Sequence, residues 1–395
     1  MSNFKIENVL SETAAGLKPS GIRKFFDILE EMKGVISLTV GQPDFVTPWH
    51  IRAAGIESLE QGKTYYTSNS GTLELRQEIA KYLNRRFRLT YNPKNEIIVT
   101  VGGSEAIDLA MRALLNPGDE VIIPEPCFVC YEPLATLAGG KPVSVITREE
   151  DEFKLTPEIL RSAITPRTKL LILPFPNNPT GAVMTRTDLE AIADVLRDTN
   201  ICVLSDEIYG ELTYGDEEHV SIAELPGMRE RTIVASGFSK AYAMTGWRLG
   251  YLAAPAAYMA VMLKIHQFAI MCAPTTAQLA AIEAMANGDE DVATMRKEYD
   301  RRRKYILHRL RKMGLPCFEP KGAFYIYPRI SDTGLTSEEF CNKLLYDYGV
   351  AVVPGNAFGE SGEGFVRISY AYSLSHIEEA LNRMEIMLSD LKNQA

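Results

Sequence analysis

The chain has 395 residues, of which 46% are apolar and 24% charged, and 42 Lys and Arg against 51 Asp and Glu leave a formal charge of −9. That length supports two subdomains around a sizeable core, and the acidic balance argues against nucleic acid or an anionic membrane as the main partner. No apolar run approaches the roughly 20 residues that a bilayer span requires.

The amino-terminal stretch "MSNFKIENVLSETAAGLKPSG" is polar and broken by Gly and Pro, so it does not read as a signal peptide. From there an apolar run of four to six residues, a Gly/Pro/Asn/Ser loop and a helix-period segment keep recurring. "EIIVTV" precedes "GGSEAIDLAMRALL", in which Ile107, Met111 and Leu114 keep helical spacing. "NPGDE" turns the chain into "VIIP", "KLLILPF" precedes "PNNPTG", and "NICVLS" precedes "DEIYGEL". "RTIVASGF" then leads to Lys240, and "RLGYLAAP" follows it. The alternation predicts an α/β fold with a mainly parallel sheet covered by helices. After about residue 280 the texture changes to a long charged helix, "DVATMRKEYDRRRKYILHRLRKMG", and shorter strands, "AFYIYP" and "GFVRISYA". We therefore expect a large domain over 46–280 and a smaller one combining 1–45 with 281–395.

Six cysteines are scattered along the chain, which suits a reducing cytoplasm better than a disulfide scaffold. Cys127 and Cys130 form a C-x-x-C, but no second pair or histidine cluster follows at zinc spacing, and the five histidines are isolated. No metal is expected.

Ligands of open parallel α/β sheets bind beyond the carboxyl ends of the strands. Ser104, Asn178, Asp206 and Lys240 all follow apolar runs at that position. Ser104 alone could cap a helix, and Asn178 alone could be a turn residue. Asp206, directly after "CVLS", needs a partner, because an acid buried there would otherwise be desolvated at a cost. Pyridoxal phosphate chemistry uses these types together: a lysine amine for the aldehyde, a carboxylate for the ring nitrogen, and N–H groups, hydroxyls and an arginine for the phosphate. "GGSEA", Ser239 or Ser236, and Arg248 offer the last set.

"GFSKAYAMTGWRLG" resembles the segment around the lysine of class I/II aminotransferases, the fold-type I pyridoxal phosphate transferases. "NNPTG", "SDEIY" and "VRIS" follow the same family's order, and the resemblance covers essentially the whole chain. It implies Lys240 as the imine lysine and proton shuttle and Asp206 as the partner of the pyridine nitrogen. It implies Asn178 and Tyr209 at the ring oxygen, Phe128 stacked on the ring, and Gly103, Ser104, Glu105, Ser239 and Arg248 around the phosphate. Arg367 would clamp the substrate α-carboxylate, a charge inside "GFVRISYA" that is costly unless paired. Gly41 in "VGQPDFVTP" would pass over that carboxylate. Tyr66, or its neighbour Tyr65, would reach the phosphate of the other subunit in a homodimer with shared sites.

"SGIRKFFDILE", "VISLTVGQPDFVTP" and "SDEIYGELTY" look like bacterial N-acetyl-LL-diaminopimelate aminotransferases, and aspartate and aromatic aminotransferases share much of the pattern. The resemblance implies transfer of an α-amino group between an amino acid, with glutamate as one partner, and a 2-oxo acid. A carbon–sulfur β-lyase on the same scaffold is the alternative. A pyridoxal-phosphate-sensing regulator is a third reading, for which no spare basic or helix-turn-helix segment is evident.

Overall fold

The computed structural model describes residues 6–19, 32, 34–215 and 218–394, so the stretch "SGIRKFFDILE" lies outside the described residues. The first strand, β1 (Ile36–Ser37), belongs to the carboxyl-terminal part of the fold. The central sheet consists of β2 (Ile97–Thr100), β3 (Glu120–Glu125), β4 (Lys141–Ile146), β5 (Thr168–Leu173), β6 (Cys202–Asp206), β7 (Thr232–Gly237) and β8 (Gly250–Ala253). Their spatial order is β2-β8-β7-β6-β5-β3-β4. β4, β3, β5, β6 and β7 run parallel, and β8 runs antiparallel to both of its neighbours.

The central strands are continuous apolar runs because helices cover both faces. Leu170, Leu171, Ile172, Val203, Leu204, Ile233 and Val234 are all fully buried. Each such side chain contributes about 1.5–3 kcal/mol by leaving water. A charge at Leu171 or Val203 would therefore break the layer before it disturbed the site.

The covering helices are α1 (Trp49–Glu60), α2 (Leu73–Phe87), α3 (Gly102–Leu114), α4 (Tyr131–Leu137), α5 (Pro157–Ala163), α6 (Arg186–Leu196), α7 (Ala256–Ala269) and α8 (Thr275–Asn287). Of the residues at helical spacing in α3, Ile107 and Met111 are buried and Leu114 is half-buried, and Ala106, Leu109 and Ala110 are buried beside them.

The charged stretch after residue 288 forms α9 (Asp289–Lys312). Asp289, Glu290 and Asp291 open it, and Arg309, Arg311 and Lys312 close it, the arrangement that suits the helix dipole. Beyond it, β9 (Tyr325–Ile326), α10 (Ser337–Tyr348), β10 (Val350–Ala351), β11 (Val353–Pro354), β12 (Val366–Ser369) and α11 (Leu374–Gln394) complete the chain. β11, β12 and β9 form an antiparallel sheet, and β10 pairs with β1 in parallel. One apolar cluster joins Leu38, Met295, Ile306, Phe324, Phe340, Ile368 and Leu381, so the amino-terminal strand packs with the carboxyl-terminal elements.

Candidate active site

Asp206 is the last residue of β6, and Lys240 lies three residues past the end of the adjacent β7. The connection from β7 to β8 contains no α-helix, so the chain turns back antiparallel and leaves Lys240 at the sheet edge. Both residues line a cavity of about 370 Å³. Gly41, Gly103, Ser104, Phe128, Asn178, Tyr209, Ser239, Arg248 and Arg367 line the same cavity. Residues spread over more than 300 positions thus meet in one place, each at a strand end, a helix start or an adjoining loop.

Burial decides the electrostatics. It pushes the Lys240 amine down from 10.5 to about 8, helped by the positive fields of Arg367 and Arg248 and opposed by Asp206. Its Nζ donates to the Gly41 carbonyl at 2.5 Å. Burial raises the Asp206 carboxyl, and hydrogen bonds from Tyr131 and the Ile208 N–H oppose that rise. The Tyr131 hydroxyl donates to Asp206 Oδ2 at 2.7 Å, and Ile208 N–H donates to Oδ1 at 3.2 Å.

Arg367, on β12, faces the sheet ends from the other side. Its Nη1 donates to Asn178 Oδ1 at 3.0 Å and its Nη2 to the Thr39 carbonyl at 2.5 Å. The guanidinium lies between the rings of Tyr325, at 4.5 Å, and Phe358, at 4.7 Å. Its Nη1 and Nη2 each spend one of two N–H groups on the Asn178 and Thr39 oxygens, which leaves donor capacity for an anion. The turn role in "NNPTG" falls to Asn177, whose Oδ1 accepts from the Thr180 N–H and hydroxyl. Asn178 is thereby free to face the cavity.

The phosphate-type cradle is at the start of α3. Val101 is the N-cap and cannot supply a side-chain acceptor, so Ser104 stands inside the first turn and is not the cap. Gly102 has φ +76°, and a Cβ there would come within 2.7 Å of Arg248 Nη2. Ser239 lines the cavity, whereas the Ser236 hydroxyl donates to the Glu207 carbonyl at 3.2 Å. Glu105 does not line the cavity. Its carboxylate turns back to accept from the Val101 N–H, and as the fourth helical residue its own N–H falls within the helical ladder.

Tyr66 is also outside the cavity, 77% exposed beside the exposed Tyr65. The segment that carries them packs on the start of α8 and the turn before it: the Thr275 hydroxyl donates to the Tyr65 carbonyl, and Asn69 donates to the Met271 carbonyl.

Two cavity tyrosines escaped sequence reasoning. Tyr131 is the last residue of "CFVCY", one helical turn past Phe128, and that spacing was the available signal. Tyr325 in "AFYIYP" carried no signal beyond a strand pattern. Its hydroxyl lies 2.8 Å from that of Tyr209, and a Cβ on Gly41 would collide with it.

A doubly wound sheet carrying a half-buried lysine beside a carboxylate, opposite an arginine with spare donors, defines a site for amine and carboxylate chemistry on small molecules. Residues 33–384 match the family described as aminotransferase class I and II, and the chain belongs to that family. It is an aminotransferase. An aspartate aminotransferase of Pyrococcus abyssi (strain GE5 / Orsay) is 50% identical over 95% of this chain and 97% of its own. A Bacillus subtilis (strain 168) protein named "Probable N-acetyl-LL-diaminopimelate aminotransferase" is 46% identical over 97% of this chain and 96% of its own. The crystal structure of an aromatic aminotransferase from Pyrococcus horikoshii OT3 matches with TM-score 0.89 and 50% identity, over 93% of this chain and 99% of that one.

Proposed function

We propose that the cavity binds pyridoxal 5′-phosphate and moves an α-amino group between glutamate and a 2-oxo acid. The observation that carries the reading is one cavity holding a half-buried lysine whose amine is lowered to about 8, a buried carboxylate and an arginine with unused Nη donors. Its volume suits a cofactor-sized ligand, and the glycine-lined helix start under Arg248 suits the phosphate. When bound, the cofactor supplies an aldehyde for an amine and a ring that accepts electrons from the substrate α-carbon.

In this reading the Lys240 amine is the nucleophile and carries the proton to and from the substrate α-carbon. Asp206, fixed by Tyr131, holds a proton on the ring nitrogen. Tyr209 and Asn178 hold the ring oxygen, and Phe128 covers the ring face. Gly103 and Ser104 give N–H groups, Ser239 a hydroxyl and Arg248 a guanidinium to the phosphate, and Glu105 supports them from behind. Arg367 clamps the substrate carboxylate under the Gly41 segment.

Tyr66 serves the cavity of a second copy of the chain in a two-fold dimer. The exposed Tyr65, Tyr66, Phe268, Ile270 and Met271 support such an interface. We place the enzyme in the cytoplasm, in keeping with six free cysteines and, among the described residues, no helix long and apolar enough to cross a membrane.

The relatives' names give aspartate, aromatic and N-acetyl-LL-diaminopimelate substrates at similar identity, so the second amino donor comes from that set. The test is a panel of these donors against 2-oxoglutarate, followed by the cofactor spectrum and by glutamate formed. Glutamate production from at least one donor is expected. Pyruvate, ammonia and homocysteine from cystathionine without any oxo acid would instead make the chain a β-lyase.

A further inference from the structure

Behind the α3 start Glu105 meets a buried histidine that the chemistry above does not use. His266, in the last turn of α7, is completely buried, and its Nδ1 is 2.5 Å from Glu105 Oε1. Glu105 Oε2 accepts from the N–H of Val101, the N-cap of α3. The other ring nitrogen of His266 has no partner among the described residues, so Glu105 provides this imidazole's polar anchor.

A helix start leaves four N–H groups without helical partners. At α3 the carboxylate of Glu105 takes the N-cap one, and Val101 has no side-chain oxygen to compete for those of Gly103 and Ser104. These two residues line the cavity. A carboxylate here also has a cost: it adds negative charge where a phosphate is to bind. Its hydrogen bond to His266 holds it on the far side of the helix start, on a partner that can share its charge.

We propose that Glu105 and His266 are positioning residues for the phosphate end of the cofactor. His266 fixes the Glu105 carboxylate on the Val101 N–H. The pair thereby keeps the Gly103 and Ser104 N–H groups directed at the cavity and keeps the carboxylate's charge away from it. This rests on the reading of the α3 start as the phosphate cradle.

The test compares pyridoxal phosphate with pyridoxal, which lacks the phosphate, as ligands of the cofactor-free chain. Dissociation constants are read from absorbance and tryptophan fluorescence, and folding is followed by thermal melts. His266→Leu should weaken pyridoxal phosphate binding roughly ten- to a hundredfold, the range for a misplaced charge-assisted contact, and leave pyridoxal unchanged. His266→Asn, which keeps a donor near the Nδ1 position, should recover most of the affinity. Glu105→Gln added to His266→Leu should also recover it, because no carboxylate is left to stray toward the phosphate. Unchanged phosphate affinity in a folded His266→Leu chain would overturn the proposal. So would an equal loss for both ligands, or a double variant no better than the single one. A wild-type chain binding pyridoxal as tightly as pyridoxal phosphate would remove the cradle reading itself.

Discussion

Each wall of the cavity draws a cation out of water, and the same loss of solvent lowers both but leaves them in different states. On the wall made by β6 and β7, Lys240 loses water and its amine falls to about 8, within reach of neutrality. On the wall made by β12, Arg367 is also buried and also pushed down, but from a far more basic ordinary value, and a guanidinium remains charged. The surroundings match. Lys240 has a carbonyl, a neighbouring carboxylate and aromatic rings at 5.7 and 5.8 Å. Arg367 has an amide oxygen, a carbonyl and two ring faces, none of which can take its proton. The same desolvation makes one side chain a base and nucleophile and the other a permanent anchor.

The largest break in this contrast is Lys240→Ala. Loss of the nucleophile and proton carrier together should cut turnover roughly 10⁴-fold or more, with cofactor still retained through the phosphate cradle. Transamination rates near those of the parent would dismantle the assignment of the reactive wall.

Asp206→Asn comes next. It keeps the shape and the Tyr131 contact but removes the charge, so the proton-transfer step should slow by about 10²–10³ with little change in substrate affinity. Single-turnover kinetics separate the two effects. A change confined to the Michaelis constant would make Asp206 a structural acid.

On the anchoring wall, Arg367→Ala should weaken carboxylate substrates by about 2 kcal/mol or more, and Arg367→Lys should restore only part of that because it lacks the planar fork. Equilibrium binding of an unreactive dicarboxylate, read by the cofactor spectrum, measures it. Equal affinity in all three chains would place the clamp elsewhere.

The walls also differed in how much of them the sequence disclosed. The reactive wall comes from strand ends in register, so apolar runs followed by a single polar residue exposed Asp206 and Lys240. Arg367 was visible for a related reason, as a charge within an apolar strand. Tyr131 and Tyr325 were hidden because their partners, Asp206 and Tyr209, lie 75 and 116 residues away. A tyrosine in an apolar strand or helix looks like core until its hydroxyl's partner is located. The antiparallel run of β8 had a signal that went unread: the dozen residues between β7 and β8 lack a helical period, and a parallel crossover usually needs a helix. Glu105 was placed in the cradle by its motif, but the side chain's direction depends on His266, 161 residues on.

The smallest effect sharpens the comparison most, because it reads burial directly. A fall from 10.5 to about 8 raises the neutral fraction of Lys240 at pH 7 roughly 300-fold over an ordinary lysine. The cofactor-free chain should therefore react with pyridoxal at a rate that climbs with pH and levels off above a midpoint near 8. Asp206 holds that midpoint up, so Asp206→Asn should move it lower, and Arg367→Met should move it higher by removing a positive field. The same shift has a sign in stability. Between about 8 and 10.5 the unfolded chain keeps the lysine proton that the folded chain has lost, so this residue's contribution to stability rises with pH across that window. Lys240→Met should lack that rise in urea titrations at pH 8 and pH 10. A reaction midpoint near 10, unmoved by either substitution, would mean that the amine is solvated in solution and that the two walls do not differ in the way their burial implies.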